Sequence, residues 1–223
     1  FYEKFMYNSI ATAIYQIAVM LVGFITPRIL LQFYGSEMNG LVSSINQFIT
    51  YFSLVEAGIA GAAVYSLYKP LANKDKDGIS AIVSAAKNFY VQAGVIFTFL
   101  VIGLAVIYPV FVKVSTLSFA SETILIVVLG AKGFLEFFTL AKYRVILTAD
   151  QKTYVVSNAS TIYIILQMVI IVVLSYLRCN IVVLYAIAIL ALFARSFILT
   201  IYVKKRYSFI NYKAEPNVKA LDK

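Results

Sequence analysis

Long runs without a single charged residue, each closed by a short polar stretch, set the pattern of this chain. Residues 5–27, 38–55, 88–112 and 153–177 contain no Asp, Glu, Lys or Arg, and a helix needs about 20 apolar residues to cross hydrocarbon. Residues 122–147 and 180–203 are nearly as apolar, but the first carries Lys132 and Glu136 and the second Arg195. Segments such as Ile124-Leu125-Ile126-Val127-Val128-Leu129 and Ile170-Ile171-Val172-Val173-Leu174 are apolar on every face, whereas barrel strands alternate apolar and polar positions. The pattern therefore predicts an all-α, polytopic membrane protein with six transmembrane helices. The first run is longer than the core of a cleavable signal peptide, about 7–15 residues, and no small-residue cleavage site follows it, so it stays in the membrane.

The polar stretches give the orientation. With the N-terminus inside, the inner segments collect fourteen Lys and Arg, from Lys4 through the Lys69, Lys74 and Lys76 loop to Lys204, Lys205, Arg206, Lys213, Lys219 and Lys223, and the outer loops keep only Lys113 and Arg178. This asymmetry predicts cytoplasmic N- and C-termini joined by three hairpins. In the inner loop Lys69-Pro70-Leu71-Ala72-Asn73-Lys74-Asp75-Lys76-Asp77-Gly78, Pro70 is expected to end the second helix. Ile79, Ile82, Val83, Ala86, Phe89 and Tyr90 then recur at helical spacing, which predicts an interfacial segment before the third span, with an ordinary loop as the alternative. Residues 1–203 read as one six-helix lobe, and residues 204–223, basic and containing Pro216, as a cytoplasmic connector or tail. A start at Phe1 and an end on a connector suggest half of a longer protein.

Composition sharpens the class. The chain has 223 residues, 62% hydrophobic and 13% charged, with mean hydropathy +0.88; this excludes a soluble domain and a disordered one. One cysteine, Cys179, and no histidine leave no intrachain disulfide, no common zinc or haem ligand set and no histidine-based triad. No metal or cofactor is expected. The +9 net charge lies between apolar runs and so sets membrane orientation rather than binding nucleic acid.

Ionisable residues inside the membrane cost at least about 2.5–3.5 kcal/mol and usually meet a partner or a watery cavity. Arg28, Glu56, Lys132, Glu136 and Arg195 qualify, three cations and two carboxylates. Lys132 and Glu136 are four apart and so able to pair on one helix face, and counting the rise from the outer helix ends places Glu136 and Arg195 at a common depth of about 20 Å, with Glu56 deeper. Each has a structural alternative: Arg28 snorkelling to headgroups, Lys132 and Glu136 as a neutralised pair. Pro27 is expected to bend the first helix. The run Ala57-Gly58-Ile59-Ala60-Gly61-Ala62-Ala63 allows close helix approach. Asn46, Gln47 and Gln167 are able to bond either across helices or to sugar hydroxyls, and the sequence leaves both open.

Several segments resemble a known group. Thr26-Pro27-Arg28-Ile29-Leu30, Tyr34-Gly35-Ser36-Glu37-Met38-Asn39-Gly40-Leu41, Val55-Glu56-Ala57-Gly58-Ile59, Tyr68-Lys69-Pro70-Leu71-Ala72 and Tyr143-Arg144-Val145-Ile146-Leu147-Thr148-Ala149-Asp150-Gln151-Lys152-Thr153-Tyr154-Val155 are similar, in order and spacing, to the first lobe of bacterial polysaccharide exporters of the O-antigen flippase type. These belong to the multidrug, oligosaccharidyl-lipid and polysaccharide exporter superfamily. Its members carry two lobes, so the resemblance implies a second lobe in the same chain or a second copy. It further implies a multi-pass protein of the bacterial cytoplasmic (inner) membrane that makes and breaks no bond. Such a protein moves an undecaprenyl-diphosphate-linked oligosaccharide outward during surface polysaccharide synthesis, among membrane lipids and beside a polysaccharide polymerase or glycosyltransferases. On that reading Arg28, Lys132 and Arg195 meet the diphosphate, Asn46, Gln47 and Gln167 meet the sugars, and Glu56 and Glu136 are coupling carboxylates. Arg144 and Asp150 read as loop residues that tie helix ends. The rivals are a cation extruder of the same superfamily, a non-transporting scaffold for polysaccharide assembly, and a membrane glycosyltransferase.

Overall fold

Five helical runs are long and apolar enough to cross a membrane: Glu3–Glu56, Lys76–Phe111, Phe119–Ala149, Thr153–Tyr176 and Ile181–Arg206. They are seen in a computed structural model that describes residues 2–112, 114–212 and 214–217, without the side chains of residues 2 and 57–59. Lys113, Lys213, Lys219, Lys223 and the side chains of Ala57, Gly58 and Ile59, all named above, lie outside the described residues. The elements in order are α1 (Tyr2–Phe52), a 3₁₀ turn (Ser53–Glu56), α2 (Ala57–Asn73), α3 (Lys76–Phe111), α4 (Phe119–Leu135), a π turn (Glu136–Leu140), α5 (Ala141–Ala149), α6 (Thr153–Tyr176), α7 (Ile181–Ala188) and α8 (Ala191–Arg206).

The first two spans read from the sequence fall within one run, and the boundary between them is Gly35. Its φ of 83° and ψ of 172° are non-helical, a region open essentially to glycine alone. Pro27, by contrast, lies inside continuous helix. The part of α1 before Gly35 runs parallel to α6. Lys4 reaches Asp150, Asn8 donates to the Gln151 carbonyl at 2.9 Å and accepts from the Tyr154 N–H at 2.7 Å, and Tyr34 Oη donates to the Cys179 carbonyl at 2.7 Å. One end of the bundle thus gathers Gly35, residues 114–118 and the turn after α6, where Glu37 accepts from the Ser115 N–H at 3.1 Å and Arg178 lies over Phe33. The other end gathers the N-terminus, the α2–α3 and α5–α6 turns and the segment after α8.

Three chain reversals are built alike. Lys74, Gln151 and Arg178 each have φ of 55°, and the next N–H bonds a carbonyl five residues back, Asp75 to Pro70, Lys152 to Leu147 and Cys179 to Leu174. This is the Schellman ending, which satisfies carbonyls left over at a helix C-terminus. Pro70 sits inside α2, and the helix ends at Asn73. The starts of α3, α4 and α7 are capped by side chains: Asp75 accepts from the Gly78 N–H, Ser118 from Ser121 and Asn180 from Val182.

The segment expected to lie along the interface is the lower part of α3, a single helix from Lys76 to Phe111. Its apolar stripe faces protein: Ile79, Ile82, Val83, Ala86 and Tyr90 are buried, and the chain after α8 covers it. Asn211 N–H donates to Ser80 Oγ, and Ser84 Oγ donates to the Ala214 carbonyl at 2.8 Å. The same pattern signals either an interface or a packed face, and a partner segment distant in sequence decided it. In its second half α3 approaches α4 closely; a Cβ on Gly130 would meet Val101 and one on Gly133 would meet Phe97.

Candidate functional site

Two irregular turns at mid-helix place the carboxylates. Thr50 and Ser53 bond back to the carbonyls of Asn46 and Ile49, a contact that competes with the helical ladder and bends it. The 3₁₀ turn follows at once and ends on Glu56. On the other side, the π turn begins at Glu136. Such turns insert one residue into a helix. Two α turns take about 7.2 residues, so with one inserted, Glu136 and Arg144, eight apart, return to one face.

There they pair. Arg144 Nη1 lies 3.3 Å from Glu136 Oε1, and Arg144 Nη2 binds Glu56 Oε1. Arg195 of α8 reaches the same Glu136 with two bonds, Nη1 to Oε2 at 2.6 Å and Nη2 to Oε1 at 3.3 Å. The chain of contacts runs Glu56, Arg144, Glu136, Arg195, alternating in sign and neutral in sum. Arg195 is buried and both carboxylates are mostly covered. This is the bonded state a charge needs when taken out of water. Two neighbouring atoms are left over among the described residues: Arg195 Nε and Tyr90 Oη are buried without a partner.

Lys132 does not pair with Glu136. Its ammonium lies 5.7 Å from the centroid of the Tyr163 ring, and it makes no ion pair among the described residues. The physical reason is the competition at Glu136, whose two oxygens are already occupied by two guanidiniums. Lys132 still lies within electrostatic reach of Glu136 and Arg195. Gln167, half-buried on α6, stands beside the Tyr163 hydroxyl.

The structure therefore brings together Glu56, Lys132, Glu136, Arg195 and, through Tyr163, Gln167. It does not bring Arg28, Asn46 or Gln47 into that group. Arg28 is exposed and continues a stripe of exposed apolar residues at helical spacing, Ile10, Ile14, Ile17, Leu21 and Phe24. Asn46 and Gln47 are exposed on the part of α1 after Gly35. Asn39, Ser43, Asn46, Thr50 and Ser53 recur at three- and four-residue steps, so they form a polar stripe that leads to Glu56.

Arg144 is the residue the sequence reading missed. Read as a loop residue, it lies instead in α5, with its guanidinium between two carboxylates of different elements. The available signal was its spacing of eight from Glu136, which two regular turns do not match. Asp150 does tie helix ends: it pairs with Lys152 at 2.6 Å and Lys4 at 3.4 Å and accepts from Tyr207 Oη. Burial pushes the Asp150 carboxyl up, but its bonds from Lys152 and Tyr207 and the nearby Lys4 charge outweigh this, and it is held below the usual carboxylate range. Burial and the bond it donates to Asp150 push the Tyr207 hydroxyl up. Among the described residues no group of His, Cys, Asp and Glu fits a metal ion. No family model, curated protein or solved structure matches the chain.

Proposed function

We propose that the chain is one six-helix lobe, with both termini cytoplasmic, of a flippase that carries a diphosphate-linked oligosaccharide across the bacterial cytoplasmic membrane. The observation that carries this reading is Lys132, an intramembrane cation without a carboxylate of its own, beside a network of four ionised groups that is neutral in itself. With Arg144 and Arg195 it makes three cations against two carboxylates. A cluster that served stability alone would be expected to leave no charge over, since each unpaired one costs several kcal/mol. One surplus positive charge suits an anionic headgroup and disfavours an organic cation.

The proposed mechanism is alternating access of two lobes. Glu136 holds two guanidiniums from different helical segments, so a phosphate that draws Arg195 away leaves the carboxylate with Arg144. The ion pairs exchange rather than vanish, which keeps the cost of each state small. The polar stripe from Asn39 to Ser53 supplies amides and hydroxyls for sugars. Glu56 and Glu136 are the carboxylates able to change charge between states.

The test is export of lipid-linked oligosaccharide by cells that depend on this protein, with membrane insertion measured in parallel. Lys132→Gln is expected to lower export at least tenfold at normal membrane abundance. Export at the wild-type rate would overturn the reading, and loss of organic-cation efflux in its place would favour the extruder.

A further inference from the structure

The outer face of α8 carries a furrow that the transport reading leaves unused. Phe193, Ala194, Ser196, Phe197 and Thr200 line one stretch, of about 530 Å³. Phe197, Ile198, Ile201, Tyr202, Lys205 and Arg206 line the next, of about 520 Å³. The two share only Phe197, which is 67% exposed and stands between them, so the second is a furrow of its own. From Phe197 to Arg206 it follows the helix for about 14 Å. One leaflet of hydrocarbon is about 15 Å deep, half of the ~30 Å core. The walls are almost wholly apolar until the end, where Lys205 and Arg206 stand exposed and make no ion pair among the described residues.

We propose that this furrow holds an anionic phospholipid of the adjoining leaflet, one acyl chain lying along Phe197, Ile198 and Ile201 and the phosphate between Lys205 and Arg206. An apolar trough of leaflet depth that ends in two unpaired cations at the membrane boundary matches such a lipid in length and in charge. A second copy of the chain or an apolar helix would fill the trough but leave both cations without a counter-charge. A cation near the headgroups attracts anionic lipid whatever its surroundings, so the site is distinguished from diffuse attraction by Lys204, equally exposed but outside the lining. The inference does not depend on the flippase reading.

The test uses the purified, delipidated full chain and native mass spectrometry, with phosphatidylglycerol and phosphatidylcholine of the same acyl chains as probes. The wild type is expected to retain phosphatidylglycerol about tenfold better, and Lys205→Gln with Arg206→Gln to reduce that preference below twofold. Lys204→Gln is expected to keep it, and Ile201→Trp, which narrows the trough, to weaken both lipids. Equal retention of the two lipids by the wild type, or a preference that survives the paired substitution, would overturn the proposal. An equal loss in Lys204→Gln would assign the effect to diffuse charge and overturn it too. Displacement of phosphatidylglycerol by an equimolar polyprenyl diphosphate would give the furrow to a substrate. Crosslinking between copies through Phe197→Cys, in a Cys179→Ser background, would give it to a second chain. Either result overturns the proposal.

Discussion

Glu136 has two partners, and the distances rank them: Arg195 holds it at 2.6 Å, Arg144 at 3.3 Å. Removing one member of a buried pair strands the other charge and costs about 3–5 kcal/mol, whereas replacing both members by groups of similar shape is often neutral. Arg195→Ala is therefore expected to destabilise the protein by about 3 kcal/mol or more, and the double variant Arg195→Met, Glu136→Gln to recover most of that. Thermal unfolding in detergent reads both. If the double variant were as unstable as the single one, the Arg195–Glu136 bond would not be the source of the loss. The spacing of Lys132 and Glu136 made a pair on one helix face the natural expectation, and it failed because Glu136 had better partners from α5 and α8. A helix periodicity states which neighbours are within reach, not which one wins.

At the scale of elements, the breaks matter more than the helices. Gly35 separates the two limbs of α1 with a backbone that an L residue adopts only under strain, although nothing crowds the position its Cβ would take. Gly35→Ala is expected to cost about 1–3 kcal/mol from conformation alone, seen as a lower melting temperature with unchanged helix content; an unchanged melting temperature would mean the turn relaxes freely. Apolar runs made most helices legible, because burial in lipid demands about 20 apolar residues whatever the packing. The π turn at Glu136 and the 3₁₀ turn at Ser53–Glu56 were not legible. They differ from α-helix by a small energy, and contacts with other helices select them. Arg144 was missed for this reason, since only the inserted residue turns it toward Glu136.

Over the whole molecule, the two ends of the bundle differ in what ties them. Cys179, the one cysteine of the chain, sits in the turn that meets Tyr34, at the end opposite Lys4 and Asp150. With cytoplasmic termini, a membrane-impermeant thiol reagent added outside intact cells is expected to label Cys179, and Lys74→Cys in a Cys179→Ser background is expected to resist it. The reverse pattern would invert the topology. At the other end, Asp150 joins the start of α1, the α5–α6 turn and the segment after α8. A carboxyl held below its unfolded value of about 3.9 stabilises the fold above that pH and ceases to as pH falls through the folded value. Amide exchange at the start of α1 is thus expected to quicken below about pH 4, after correction for intrinsic rates, and Asp150→Asn to show the faster exchange already at pH 7. Equal protection at both pH values would remove Asp150 from that role.

Length of apolar run and the sparseness of charge are properties of the chain itself, and they set the class: long helices apolar enough to cross a membrane, with a handful of charges inside them. Who partners those charges was decided by tertiary structure. Glu56, Glu136, Arg144 and Arg195 come from four separate elements, and Arg28 stands away from them on an apolar flank. Hydrophobic burial is summed residue by residue and can be read along a line. An ion pair depends on a few ångströms between groups far apart in the chain, and only the packed helices set that distance.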